Sequence, residues 1–302
     1  MRRFCYRAGC LSRVHLPVPV IVVGNISVGG TGKTPLVIAL VELLRNHGYS
    51  PGVTTRGYGG ENITSPQPVT VDSDPYAVSD EAVLLAMRGR CPVVVGRDRV
   101  AAAILLHEQG CDVVLSDDGL QHYRLWRDIE IAVIDGARGL GNGYLLPAGP
   151  LREPPRRLRE VDFVVVNGTA TDSRDYSMTL VPQVPRRLSD QLERPLASFG
   201  SSPVHAIAGI GNPQRFFDAL ASSGLQVIPH AFPDHYRYQR KELDFGDDYP
   251  VLMTEKDAVK CRRLVDNERY FYIAVDALLD ERLEPQLMQV LAARNDTIGR
   301  QG

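Results

Sequence analysis

The stretch VPVIVVGNISVGGTGKTP, residues 18–35, constrains the fold more than any other part of the chain. Its apolar beginning, residues 18–23, has the length and composition of a strand buried in a parallel sheet. A glycine-rich turn follows, and the amphipathic pattern LVIALVELLRNHG begins just after Lys33 and Thr34. A strand, a glycine-rich loop, Lys-Thr and a helix in this order form the phosphate-cradling P-loop. The stretch therefore predicts nucleotide binding.

Each part of this loop has a physical role in the prediction. Glycines let backbone N–H groups turn toward phosphate oxygens, and a helix N-terminus adds a partial positive charge. Lys33 is predicted to reach the β- and γ-phosphates of ATP, and the Thr34 hydroxyl is predicted to hold Mg²⁺. The usual pattern has a further glycine where this chain has Ser27. The residues predicted to bind the nucleotide are Ser27, Val28, Gly29, Gly30, Thr31, Gly32, Lys33 and Thr34.

The composition fits a folded protein of two domains or one large α/β domain. The chain has 302 residues, 44% of them apolar and 23% charged, so a full-sized core is expected and disorder is not. The formal net charge of −2 argues against general nucleic-acid binding. Five scattered cysteines, none in a Cys-x-x-Cys pair, indicate neither a zinc site nor a disulfide framework, and favour a reduced, cytoplasmic setting.

Strand-like apolar runs alternate with helical patterns along the chain. The runs include residues 51–57, 92–96, 111–118, 130–136 and 162–168. This alternation predicts an α/β fold: a P-loop NTPase-like parallel sheet flanked by helices, with ligands at the carboxyl ends of the strands and with a second, smaller α/β domain. The predicted units are a nucleotide-binding domain (residues 1–180), a connector (181–203) and the smaller domain (204–302).

Polar motifs follow several of these strand-like runs. Asp117 and Asp118, after an apolar run, are placed to reach Mg²⁺ as in a Walker B motif, although Asp-Asp-Gly is also typical of a turn. Asp80 and Glu81 begin a helical pattern, where Ser79 or Asp80 could equally act as a helix cap. The glycine- and proline-rich loop of residues 140–153 ends in Arg152 and Glu153, either site residues or a surface ion pair.

The N-terminal segment MRRFCYRAGCLSRVHL is basic and has no acidic residue. Drawn as a helix, it has an apolar side formed by Phe4, Ala8, Leu11 and Leu16. The other side carries Arg2, Arg3, Arg7 and Arg13. The pattern is compatible with a short interfacial helix on an anionic membrane surface and equally with a solvated basic tail. No run approaches the roughly 18–20 apolar residues of a membrane span.

Eight motifs in order resemble those of the tetraacyldisaccharide 4′-kinase family, the lipid A 4′-kinases of Gram-negative bacteria. They are GNISVGGTGKTP, TTRGYGG, SDEA, SDDGLQHYRL, IDGARGLGNGYLLPAGPLREP, AGIGNPQRFF, FPDHYRY and MTEKDAVKC. The resemblance implies ATP, Mg²⁺ and a lipid A precursor as ligands: the γ-phosphate passes to the 4′-hydroxyl of a tetraacylated glucosamine disaccharide 1-phosphate. It also implies peripheral contact with the cytoplasmic face of the inner membrane. The family shares the small hydroxyl residue at Ser27.

The resemblance also implies roles for individual residues. Asp80 matches the family's proposed general base, His235 its partner in a dyad, and Lys33 the phosphate-binding lysine. Because Asp80 and His235 lie on different predicted domains, domain closure is expected to assemble them. The positions that match metal-site residues are Thr34, Glu81, Asp117, Asp118, Gln121 and Glu153. The positions that match phosphate or sugar contacts are Arg56, Tyr58, Arg99 and Arg152.

Two features depart from the family pattern, and two other functions fit the P-loop. The chain reads VSDEA where SGDEP or AGDEP is usual, and only about 17 residues precede the first strand, which implies fewer membrane contacts or a start further upstream.

A P-loop switch or partner-binding ATPase is one alternative, although such loops often carry lysine where this chain has Val28. The stretch TEKD, residues 254–257, is a helix capping box rather than a guanine motif. A kinase of a soluble small molecule is the other alternative.

The basic N-terminus generates the first testable prediction. If residues 1–16 form an interfacial helix, replacing Arg2, Arg3, Arg7 and Arg13 by Ser should weaken binding to anionic vesicles, because each basic residue near such a surface contributes about 1 kcal/mol. Co-sedimentation with vesicles measures the effect. Equal binding of the two proteins would support the solvated tail.

Overall fold

The computed structural model describes residues 5–6, 8–61, 63–200, 202–265 and 268–299. Its strands are β1 (Val20–Gly24), β2 (Pro51–Thr55), β3 (Gln67–Val69), β4 (Val93–Val95), β5 (Val113–Ser116), β6 (Ile129–Asp135), β7 (Phe163–Asn167), β8 (Tyr176–Pro182), β9 (Arg186–Arg187), β10 (Val204–Ala208), β11 (Val227–Ala231), β12 (Val251–Thr254), β13 (Tyr270–Ile273) and β14 (Val275–Leu279). Its helices are α1 (Lys33–Asn46), α2 (Pro75–Val78), α3 (Asp80–Gly89), α4 (Arg99–Glu108), α5 (Pro213–Ser222), α6 (Glu255–Cys261) and α7 (Leu283–Gly299). Single 3₁₀ turns lie at Pro155–Arg159, Leu196–Phe199 and Arg240–Glu242.

The strands form two sheets, both mostly parallel. The larger has the order β14-β8-β7-β6-β1-β5-β2-β4-β3, and only its edge strands β14 and β3 run antiparallel to their neighbours. The smaller has the order β11-β10-β12-β13-β9, with β9 antiparallel. This architecture confirms the predicted fold class of a parallel sheet flanked by helices, with a second, smaller α/β unit.

The centre of the larger sheet is built as its sequence pattern requires. All five residues of β1 are buried, because strands at the centre of a parallel sheet are covered on both faces. Helix α1 covers one face through Leu36, Val37, Leu40 and Leu44, whose spacing puts them on one side of the helix. The carboxyl ends of β1, β5 and β2 therefore meet at one edge of the sheet, just before α1 begins.

The last part of the chain returns to the larger sheet. Strand β14 pairs with β8, and α7 buries Leu283, Leu287 and Leu291 in the same core as α1. The predicted domain boundaries assign all of residues 204–302 to the smaller unit, whereas the sheet pairings assign only β9–β13 to it. The difference arises because strand pairing is long-range: nothing local in residues 275–299 distinguishes an edge strand of one sheet from that of the other.

The described part of the N-terminal segment does not continue as a helix. Arg2, Arg3, Phe4 and Arg7 lie outside the described residues, but residues 8–16 contain only turns, bends and an isolated bridge from Val14 to Leu125. Leu16 is buried against the sheet, so it does not belong to an exposed apolar face as the helical drawing requires. That part of the interfacial-helix hypothesis is wrong. Within the described residues, no helix is long and apolar enough to cross a membrane.

Candidate active site

The glycine-rich loop between β1 and α1 is held by its carbonyl groups. Hydrogen bonds to these carbonyls come from side chains at the ends of three strands: from Asn25 to Gly29 O (3.3 Å), from Arg138 to Gly30 O (2.7 Å) and from Asn167 to Thr31 O (3.3 Å). The far side of the loop is pinned by the Val28 N–H, which donates to Pro150 O at 2.9 Å. Contacts within the protein therefore hold this loop on both sides.

The N–H groups on the same loop are left for a ligand. In the described chain no acceptor takes the N–H groups of residues 29–34, and no side chain caps α1. Gly32, the residue before the helix, has φ +91, and a Cβ there would lie 2.9 Å from the amide nitrogen of Asn167. Unpaired N–H groups at a helix N-terminus attract anions, so the loop has the features of a phosphate-binding site.

Lys33 points to a cluster of charges at the end of β5. Its Nζ lies 3.5 Å from Asp118, which also accepts two hydrogen bonds from Arg152 at 3.1 and 3.2 Å. Burial pushes the pKa of Asp118 upward, but Lys33 and Arg152 outweigh it and hold this pKa below its usual range. Arg152 thus pairs with Asp118 rather than with Glu153, and its role in substrate binding stays a prediction. Thr34 lies half-buried on the first turn of α1.

Asp117 is a buried carboxylate at the end of β5. It is 2% exposed, and its Oδ1 has no hydrogen-bond partner among the described residues. Burial, together with the nearby charge of Glu81, raises the pKa of Asp117 to about 7. An oxygen of this kind gains from a bound cation, and carboxylate and hydroxyl oxygens are ligands that Mg²⁺ prefers.

Arg99 lies beneath this cluster rather than facing solvent. It is 2% exposed, and its guanidinium donates to Asp117 O at 2.6 Å and to the Thr54 hydroxyl at 3.5 Å. Burial lowers the pKa of Arg99 to about 10. In this conformation Arg99 holds the turn that carries Asp117. The exposed Arg56 follows β2 nearby. The roles in substrate binding that were predicted for Arg99 and Arg56 stay predictions.

Gln121 and Glu153, two predicted metal ligands, bind one another. The Gln121 amide donates to Glu153 at 2.6 Å and to Asn25 O at 3.1 Å. The other carboxylate oxygen of Glu153 accepts from the Tyr123 hydroxyl at 2.5 Å and lies 3.4 Å from Arg157. Both carboxylate oxygens of Glu153 thus have partners within the protein. The pair ties the end of the loop of residues 140–153 to Asn25, which follows β1.

Asp80 and His235 meet across the two sheets. The Nδ1 of His235 lies 3.1 Å from Oδ1 of Asp80, although the residues are 155 positions apart. Ser79 caps α3 by accepting from Ala82 N–H, which leaves the Asp80 side chain free to face His235. Burial raises the pKa of Asp80, but His235 and nearby lysines lower it further than burial raises it. The hydrogen bond to Asp80 raises the pKa of His235.

Tyr58 and Gly59 form the wall beside the histidine. The Tyr58 ring is 67% exposed and lies 5.3 Å from the His235 ring. Gly59 has φ +81, and a Cβ there would lie 3.1 Å from Cγ of His235. Only glycine gives both this backbone conformation and this close approach without strain. On the imidazole itself, Nε2 lies 3.8 Å from the carboxylate of Asp234.

Sequence reasoning missed the cations that surround Asp80. Lys256, on α6, lies 3.2 Å from Glu81, 3.0 Å from Asp234 and 3.9 Å from Asp80. Lys260, one turn further along α6, lies 3.6 Å from Asp80. The motif MTEKDAVKC contains both lysines, but assigning them needed the position of α6 against α3, which the sequence does not give. Of the predicted capping box, one half is present: the Thr254 hydroxyl accepts from Asp257 N–H and caps α6, whereas the Asp257 carboxylate binds the Thr254 hydroxyl and other groups.

Comparisons with known proteins identify one family. The family model described as LpxK, tetraacyldisaccharide-1-P 4′-kinase, matches residues 1–292. A tetraacyldisaccharide 4′-kinase of Nitrosococcus oceani is 52% identical over 96% of this chain and 86% of its own length. One of Alkalilimnicola ehrlichii is 52% identical over 98% and 90%. A crystal structure described as "apo" form LpxK from Aquifex aeolicus in complex with ATP has a TM-score of 0.80 at 28% identity and covers 96% of this chain and 94% of that chain.

Proposed function

This chain belongs to the tetraacyldisaccharide-1-P 4′-kinase family, and on that premise we propose that it transfers the ATP γ-phosphate to the 4′-hydroxyl of a tetraacyl glucosamine disaccharide 1-phosphate in lipid A biosynthesis. The observation that carries the mechanism is the hydrogen bond between Asp80 and His235, which joins the two sheets beside an exposed wall. A sugar hydroxyl is a poor nucleophile and needs a positioned base to remove its proton.

The glycine-rich loop is the proposed P-loop for ATP. Its unpaired N–H groups and the N-terminus of α1 would bind phosphate oxygens, and Lys33 would leave Asp118 to meet the β- and γ-phosphates. Because the carbonyl groups are already held by Asn25, Arg138 and Asn167, little reorganisation is needed when the nucleotide binds. The ATP complex of the Aquifex aeolicus relative supports nucleotide binding at this fold.

Magnesium fits the donors next to this loop. Asp117 offers a buried carboxylate oxygen without a hydrogen-bond partner, and Thr34 offers a hydroxyl on the first turn of α1. We propose that these two residues hold Mg²⁺ and that Asp118 and Glu81 add negative charge around it. Bound there, the ion would neutralise charge on the phosphate oxygens. Gln121 and Glu153, which hydrogen-bond to one another, are proposed to hold the surrounding loops in place.

The dyad is the proposed base. With Nδ1 donating to Asp80, Nε2 of His235 lies 3.8 Å from Asp234, and the Asp80 carboxylate would stabilise the charge that the imidazole gains with a proton. We propose that the pair receives the 4′-hydroxyl proton as one unit while the oxygen attacks the γ-phosphorus and the bond to the β–γ bridging oxygen breaks, so that ADP leaves. Arg152 and Arg56 are the proposed contacts for the phosphate or sugar of the acceptor.

A phosphate-transfer assay tests the proposed function. The protein should transfer labelled γ-phosphate from ATP to a tetraacyldisaccharide 1-phosphate in detergent micelles, and not to an analogue without the 4′-hydroxyl. Lys33→Ala should fold normally by circular dichroism but lose most of the transfer, because charge developing between the β- and γ-phosphates loses its cation. Near-native turnover by folded Lys33→Ala would refute the P-loop. Transfer only to soluble acceptors would favour a small-molecule kinase, and ATP hydrolysis independent of any acceptor would favour a switch.

The dyad predicts strongly non-additive kinetics. Asp80→Ala and His235→Ala should each lower kcat by a factor on the order of 10² or more, while ATP binding survives in both. If the residues act as one unit, the double variant should be little worse than the more damaged single variant. Fully multiplicative losses would instead assign the two side chains to independent roles, such as cation binding by Asp80 and substrate contact by His235.

A second proposal concerns contact with the membrane that holds the lipid. Three consecutive apolar side chains, Tyr144, Leu145 and Leu146, are 65%, 46% and 54% exposed. The backbone of this segment is hydrogen-bonded: Leu146 N–H donates to Leu151 O at 2.8 Å, and Leu151 N–H donates to Tyr144 O at 3.1 Å. It leads directly into the site through Arg152. We infer that this segment, together with the basic N-terminus, contacts the lipid surface.

Serine substitutions in the loop test that contact. Replacing Tyr144, Leu145 and Leu146 by Ser should weaken vesicle binding several-fold and raise the KM for the lipid, because each large apolar side chain gains about 1.5 kcal/mol or more when fully buried. The matched control is Leu278→Ser, which removes an equally exposed apolar side chain (67%) from edge strand β14. Loop and control variants that bind vesicles equally well would contradict the inference.

A further inference from the structure

A buried ion pair faces the second oxygen of Asp80. The side chain of Lys260 is 1% exposed, and its Nζ lies 3.0 Å from Oδ1 of Asp257 and 3.6 Å from Oδ2 of Asp80. The first oxygen of Asp80 meets His235. The two oxygens of one carboxylate thus contact two different groups of the smaller unit. Nothing in the mechanism above uses Lys260 or Asp257.

Asp257 is fixed at both oxygens. Its Oδ1 accepts a hydrogen bond from the Tyr238 hydroxyl at 2.9 Å, and its Oδ2 accepts from the Thr254 hydroxyl at 2.6 Å and from Gly209 N–H at 2.9 Å. The Tyr238 ring also lies 5.0 Å from Nζ of Lys260, within the range of a cation–π contact. A carboxylate bound in this way cannot rotate, so it holds the ammonium of Lys260 in one place.

Lys260 differs from the other lysine near the dyad. Lys256 is 15% exposed and divides its charge among Asp80, Glu81 and Asp234. Lys260 is almost fully enclosed, and its ion pairs in the described chain are with Asp257 and Asp80 alone. Oδ1 of Asp80 also accepts a hydrogen bond from Glu81 N–H at 2.8 Å. Oδ2 has no hydrogen-bond partner among the described residues, so the attraction of Lys260 is the contact that acts on this second oxygen.

We propose that Lys260 is a positioning residue for the reaction: clamped by Asp257, it holds the Asp80 carboxylate in the orientation that keeps its other oxygen on His235. The inference rests on the proposed function of the dyad. Because Lys260 and His235 both belong to the smaller unit, the two contacts fix Asp80 only when that unit is seated against α3. The Asp80 carboxylate is therefore correctly oriented only when the smaller unit packs against α3.

A buried ion pair between α3 and α6 also has a purely structural use, and the experiment must separate the two roles. Lys260→Met leaves Asp257 buried without its cation, which is strongly destabilising. The double variant Asp257→Asn/Lys260→Met removes both charges, so much of the stability should return. The orienting cation is still missing from it. Positioning therefore predicts recovery of stability without recovery of kcat.

The measurements are kcat, the KM values for ATP and lipid, and the denaturant midpoint. In both Lys260→Met and the double variant, kcat should fall by a factor on the order of 10 to 100, with both KM values within about two-fold of the wild type. Lys260→Arg, which keeps the charge, should recover part of kcat. The matched control is Arg88→Met/Glu255→Gln, which removes another ion pair between α3 and α6 (2.8 Å) away from the dyad. Its kcat should stay within about three-fold of the wild type.

Two results would overturn the proposal: a native kcat in folded Lys260→Met, or recovery of kcat together with stability in the double variant. If Lys260→Met does not fold, the double variant decides alone, because its kcat is then compared with that of the Arg88/Glu255 control at similar stability. Failure of the proposed function is distinguishable, since the wild-type protein would then transfer no phosphate to the lipid at all.

Discussion

Several other features of the structure follow from one hydrogen bond, between Asp80 and His235. In this bond a buried carboxylate at the start of α3 meets an imidazole of the smaller unit at 3.1 Å. The chain makes this bond with unusual backbone conformations on both sides: Ser79 has φ 94 and His235 has φ 59. Conformations of this kind cost free energy and persist where the surrounding contacts determine them.

The interface between the two units follows a simple electrostatic pattern. Asp80 and Glu81 stand at the N-terminus of α3, where acidic side chains are favoured by the helix dipole, and the lysines of α6 face them. At the other end of α3 the signs are reversed, and Arg88 donates two hydrogen bonds to Glu255. Opposite charges at the two ends of one helix favour the observed register of α6 against α3. Of the two ends, the acidic one lies at the dyad.

The sequence predicted best what is local. The apolar run of β1, the periodicity of α1 and the cap at Thr254 depend on neighbouring residues, and all three are confirmed. The resemblance to a family supplied the pairing of Asp80 with His235, which no local pattern contains. The roles assigned to Thr34, Glu81 and Arg56 stay predictions. What neither source supplied is long-range packing: the burial of Arg99, the return of β14 to the first sheet, and the buried contact of Lys260 with Asp80.

The return of β14 has a mechanical consequence. The chain leaves the larger sheet after β8, which ends at Pro182. It re-enters that sheet at β14, and a single residue, Ala274, separates β14 from the end of β13. At these two crossings Gln183 N–H donates to Ala274 O at 2.8 Å, so the strands pass side by side. Because the two crossings are adjacent, they join the two units along one short line. Any separation of the units would therefore turn about that line, and it would carry His235 away from Asp80.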